Sequence, residues 1–118
     1  MTKIKELHKQ AMDLTELAII NKIHGKLEES FNLFNQAFEL EKQAALLLLE
    51  EGDNSEPSRS ILFKSAASLA LNFDNFREAE KMISFALSGN PLPEIADELR
   101  DLFEQVSFQR HKDGDLAS

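Results

Sequence analysis

The spacing Phe76, Ala79, Ile83, Ala86 recurs 49 residues earlier as Leu27, Ser30, Phe34, Ala37, and no other feature of the 118-residue chain limits its fold as strongly. Steps of three and four residues put the side chains of each set on one helix face. The small residues then set how near a neighbouring helix comes, and the bulky residue one turn on fills the space beside the contact. The stretches before the two sets also match. Leu14, Leu17 and Ala18 fall on Phe63, Ala66 and Ala67, and the turn residue Gly25 falls on Asp74. A helix–turn–helix unit therefore occurs twice, over about 11–44 and 60–93. Ala18 with Ser30, and Ala67 with Ala79, are the expected points of closest approach.

Glycines, prolines and polar clusters divide the rest of the chain. Every segment between them has helical period and none alternates like a strand. Valine is nearly absent and tyrosine and tryptophan are missing, which also argues against sheet. The expected fold is all-α, with five helices over about 3–24, 27–51, 56–72, 76–88 and 93–108. Gly25 stands where a left-handed cap ends the first helix. Ser55 is placed to cap the third, with Pro57 in its first turn. Asn75 followed by Glu78 forms a variant capping box for the fourth, which Gly89 ends. Pro93 opens the fifth, where Glu94, Asp97 and Glu98 face the positive end of the helix dipole.

The inward residues expected are Leu7, Ala11, Leu14, Leu17 and Ala18 on the first helix and Ile95, Leu99, Leu102 and Val106 on the fifth. The second helix carries two apolar stripes. One holds Phe31, Phe34, Phe38, Ala45 and Leu48 or Leu49; the other holds Leu33, Ala37, Leu40, Ala44 and Leu47. Two stripes mean cover on more than one side, from the first, third and fourth helices, or else part of "ALLLL" is left for another chain. Residues 1–110 read as one domain, with the helix over 93–108 as its cap. The polar "HKDGDLAS" of 111–118 reads as a flexible tail.

The charge excludes some functions. The net charge is −8, and residues 27–56 hold eight acids against one lysine. Such a chain repels phosphate backbones, so nucleic acid is not the expected partner. The acidic excess serves either solubility or a basic partner. No stretch approaches the roughly 20 apolar residues of a membrane helix, and the first residues are too polar for a signal peptide. There is no cysteine, and the expected compartment is cytoplasmic. His8, His24 and His111 are scattered and read as surface histidines, so no metal site is expected. No serine has a histidine base nearby, and four glycines form no phosphate loop. The expectation is a protein without catalytic residues, metal or cofactor. The nine phenylalanines stand at core spacing rather than as base-stacking platforms.

On the residues of the two units, the chain resembles the tetratricopeptide-repeat family. Ala67, Phe76, Ala79, Ala86 and Pro91 match the family's pattern in the second unit. Leu14, Leu17, Ala18, Gly25, Leu27, Phe34 and Ala37 match it in the first. Ser30 stands where alanine is usual, and the first unit has no closing proline. The ending "ELRDLFEQV" also resembles small bacterial repeat-like proteins. The resemblance implies two hairpins in a right-handed stacked array, completed by a C-terminal capping helix. It implies no enzyme but an adaptor that binds a peptide or partner protein on the face of its first and third helices. That face holds Met12, Thr15, Glu16, Ile19, Lys22 and Ile23, then Ile61, Lys64, Ser65, Ser68, Leu71 and Asn72. Either it is open, or the fifth helix or the 45–59 connection covers it. The lysine–asparagine clamp for a C-terminal carboxylate is not expected, because Thr15, Ile19 and Ser68 do not suit it. Two alternatives stand beside the adaptor: a homodimer through the second helix, at Leu46 to Leu49 or Phe38, and an acidic inhibitor of a basic partner through residues 28–56.

Overall fold

The two repeat turns close on the same hydrogen bonds. At the first, the Gly25 N–H donates to the Lys22 carbonyl at 3.1 Å and the Lys26 N–H to that of Asn21 at 2.8 Å. At the second, Asp74 donates to Leu71 at 3.1 Å and Asn75 to Ala70 at 2.9 Å. Gly25 (φ 77°) and Asp74 (φ 61°) both take the left-handed conformation that such a closure needs. Glycine enters that region without steric cost and aspartate tolerates it. Gly25→Ala is therefore expected to lower stability by about 1 kcal/mol, read as an earlier urea midpoint at unchanged m-value.

The computed structural model describes the backbone of residues 2–117 and the side chains of residues 3–112 other than Asp53. Among the described residues it is all-helical, with five α-helices and no strand. These are α1 (Thr2–Ile23), α2 (Leu27–Leu49), α3 (Ser58–Asn72), α4 (Phe76–Leu87) and α5 (Pro93–Ala117), with a 3-10 turn at Gly52–Ser55. Each helix packs on the next in sequence, and α5 also reaches α3. The small-residue notches are buried. Ala18, Ala67 and Ala79 are inaccessible to solvent, and so are Ile83, Phe63 and Met82. At the first notch the Ser30 hydroxyl donates to the Ala18 carbonyl of α1 at 2.8 Å. The serine thus keeps the approach close and adds a bond that alanine lacks.

Several local expectations are corrected. α3 starts at Ser58, and Ser55 does not cap it; its hydroxyl turns back to the Gly52 carbonyl at 2.6 Å and closes the 3-10 turn. The Glu56 carboxylate takes the Ser60 N–H instead, at 3.1 Å, and the Asn90 N–H at 2.8 Å. One side chain thereby satisfies an orphan donor of α3 and ties its start to the α4–α5 turn. Asn75 does cap α4, accepting from the Glu78 N–H at 3.3 Å. Glu78 does not reciprocate, because Lys42 of α2 holds it at 2.7 Å. α5 passes Phe108 and runs on to Ala117 through part of the segment read as a flexible tail, while Ser118 lies outside the described residues.

Leu17 was expected inside and is half-exposed, and Phe31 lies at the surface. The rest of the first α2 stripe is core: Phe34, Phe38, Ala45 and Leu48 are buried. Phe38 meets Phe73, the residue that follows α3, edge-on with centroids 5.7 Å apart. Of the residues named for a homodimer through this helix, Phe38 and Leu48 are spent within the chain, while Leu46, Leu47 and Leu49 are partly buried. On α5, Leu99 and Val106 are buried, with Ile95 and Leu102 partly so.

Candidate partner-binding face

α1 and α3 both pack with α2. Where they flank it, α2 sends up one charged side chain. Glu41 is wholly buried. Its Oε1 accepts from His8 Nδ1 of α1 at 2.8 Å, and its Oε2 accepts from the Ser65 hydroxyl of α3 at 2.6 Å. An ionised carboxylate only accepts, so the imidazole donates here through Nδ1. His8 is half-exposed, yet it is not a free surface histidine as its sequence context implied. Ser65 bonds the same carboxylate rather than the imidazole, so the trio is a bridge between three helices and not a serine nucleophile with its base.

Along this lane lie two depressions. At the amino end of the helices, a depression of about 210 Å³ is lined by Ile4, Lys5, His8, Leu48, Ser58, Ile61 and Leu62. At the carboxyl end, a cleft of about 510 Å³ is walled by Lys22, Leu27 and Phe31 from the first hairpin. Ser68, Leu71, Asn72 and Asp74 form its second wall, and Leu102, Gln105 and Gln109 of α5 its third. Its size suits a small ligand or a few residues of peptide.

Five of the twelve residues predicted for this face line one of the two depressions. Lys22, Ser68, Leu71 and Asn72 line the large cleft and Ile61 the smaller depression. Ile19 is 47% exposed, Ile61 48% and Ile23 75%. Met12 and Thr15 are only partly accessible. The Thr15 hydroxyl donates to the Ala11 carbonyl of its own helix at 2.7 Å, and the Asn72 amide to that of Ser68 at 2.9 Å. Lys64 is paired with Glu98 of α5. The fifth helix thus leans over the Lys64–Ser68 stretch while Ile19 and Ile61 stay open.

Sequence reasoning missed Leu27 and Phe31, which it assigned to the repeat and to a core stripe. It missed the α5 wall, because a capping helix was read only for its inward residues. It also missed the Glu41 bridge. The signal for that was present: Glu41 stands three residues after Phe38 and three before Ala44, on the buried side of its helix.

No protein-family model, curated protein or solved structure matches the chain. Among the described residues no group of three or more histidine or acidic side chains is placed to hold a metal ion. No helix among them is long and apolar enough to cross a membrane.

Proposed function

We propose that the protein is a non-catalytic interaction module of tetratricopeptide-like build, two stacked hairpins capped by α5, that holds a peptide segment of a partner protein along the α1–α3 face. The observation that carries this reading is the lining of the large cleft. Leu27, Phe31, Leu71 and Leu102 are interleaved there with Ser68, Asn72, Gln105 and Gln109. Amide side chains both donate and accept, as a peptide backbone does, and the apolar walls take its side chains. With Lys22 and Asp74 the only charges in the lining, the recognised segment is apolar rather than strongly charged.

The test is a peptide-array screen with labelled protein, followed by titration of the selected peptides. Apolar segments should be selected, and Leu71→Asp and Phe31→Asp should each weaken their binding about tenfold or more. Lys81→Glu, on α4, should leave it unchanged. If both aspartate variants keep wild-type helicity and wild-type affinity, the cleft is not the binding site.

A further inference from the structure

The smaller depression, at the amino end of the lane, is apolar below and polar at its rim. Ile4, Lys5 and His8 line it from α1, and Ser58, Ile61 and Leu62 from α3. Each set falls on one helix face within little more than a turn. Ile4, Leu62 and Leu48 of α2 are buried and form the floor, while Ile61 is exposed beside it.

The polar groups at the rim have nothing to bind. Among the described residues, neither the Lys5 ammonium nor the Ser58 hydroxyl has a hydrogen-bond or ion-pair partner, and both residues are exposed. Glu41 takes His8 at Nδ1, which leaves Nε2, across the ring, as the nitrogen available to a ligand. Lys5 and His8 are the only titratable side chains in the lining; Glu6, Glu50 and Glu51 are close in sequence but take no part in it. The backbone has the same sign, since α1 and α3 bring their positive amino ends here and α2 alone its negative carboxyl end.

We infer that this depression binds a free aliphatic monocarboxylate of about six carbons, its chain on the apolar floor and its carboxylate at Lys5, Ser58 and His8. A carboxylate accepts from Lys5 and Ser58 directly, and from His8 Nε2 when the ring carries both protons. Size sets the chain. The depression holds about 210 Å³, roughly the share of seven waters in the liquid, which hexanoate fills and a segment of polypeptide exceeds. A second charge on the ligand would be laid on the apolar floor without a partner. A cationic head would meet Lys5 and be repelled.

This inference does not rest on the peptide cleft, which lies at the other end of the lane. NMR titration of the labelled full chain with hexanoate tests it. Saturable shifts are expected at His8, Ile61 and Leu62, with a Kd of about 1 mM or below. Lys5→Glu and Ile61→Glu, both at exposed positions, should each weaken binding about tenfold or more at unchanged helix content. Hexan-1-amine and acetate should also bind about tenfold more weakly or worse, the first for its charge and the second for its missing chain. Leu71→Asp, in the large cleft, should leave hexanoate binding unchanged, so the two sites stand or fall separately. Shifts that do not saturate, equal binding of the amine, or wild-type affinity in both glutamate variants overturns the proposal. So does tighter binding of a short peptide ending in leucine, because the carboxylate recognised is then a chain terminus.

Discussion

Replacing His8 and Ser65 together with alanine is expected to destabilise the protein by about 3 kcal/mol, the low end of the loss for a buried ion left without partners. A fall in Tm of roughly 10 °C should accompany it. Glu41 is wholly buried, and its bonds are to side chains of two other helices, at 2.8 Å and 2.6 Å. Losing Ser65 alone leaves the His8 bond, and losing His8 alone leaves the Ser65 bond. Each single variant should therefore cost about 1 kcal/mol, the worth of one hydrogen bond. The penalty of the pair should exceed the sum of the singles, because only the pair strands the carboxylate. Adding Glu41→Leu to the double variant should restore most of the loss, since an apolar side chain of similar size needs no donor. Urea denaturation of the five proteins decides it. A double variant no weaker than the sum of its singles would show that Glu41 is hydrated after all.

Ala67→Leu is expected to cost about 3 kcal/mol, the upper part of the range for overpacking a filled core. Ala67 and Ala79 are both inaccessible, and α3 packs on α4. The added carbon atoms have no void to enter and must push the helices apart. Ala18→Leu should behave alike at the first notch, where it also breaks the approach that lets Ser30 reach the Ala18 carbonyl at 2.8 Å. Ala66→Leu is the informative comparison. It lies one residue away, on the flank of α3 turned to α2, so its effect reports the contact between hairpins rather than within one. Chemical denaturation at constant m-value measures all three. A neutral Ala67→Leu would mean that the hairpin is held by something other than close backbone approach.

The cleft shows how far local pattern reaches. Lys22, Leu71 and Asn72 were named from the repeat register, because helical period assigns a side to every residue of a regular helix. Phe31 obeys the same period and was misread as core, since its side of α2 is covered along Phe38 and Ala45 but open near the hairpin tip. The difference lies in where α3 ends, which no spacing within α2 records. Leu102, Gln105 and Gln109 reach the cleft only because α5 leans on α3, with Glu98 paired to Lys64. That pairing joins residues 34 apart and has no local signature.

The turns, by contrast, were decided within a few residues. Gly25 and Asp74 enter the left-handed region, and the bonds that close over them run from 22 to 25 and from 71 to 74. Helix positions, the paired turns and the small-residue notches follow from forces that act over one or two helical turns, so the amino-acid order carries them directly. Tertiary structure alone decided that Glu41 is bridged by His8 and Ser65, that α5 walls one side of the cleft, and that Leu17 faces outward while its counterpart Ala66 is buried. Those outcomes depend on which helix lies alongside, and in the first hairpin the same residue pattern meets solvent where, one repeat later, it meets a neighbour.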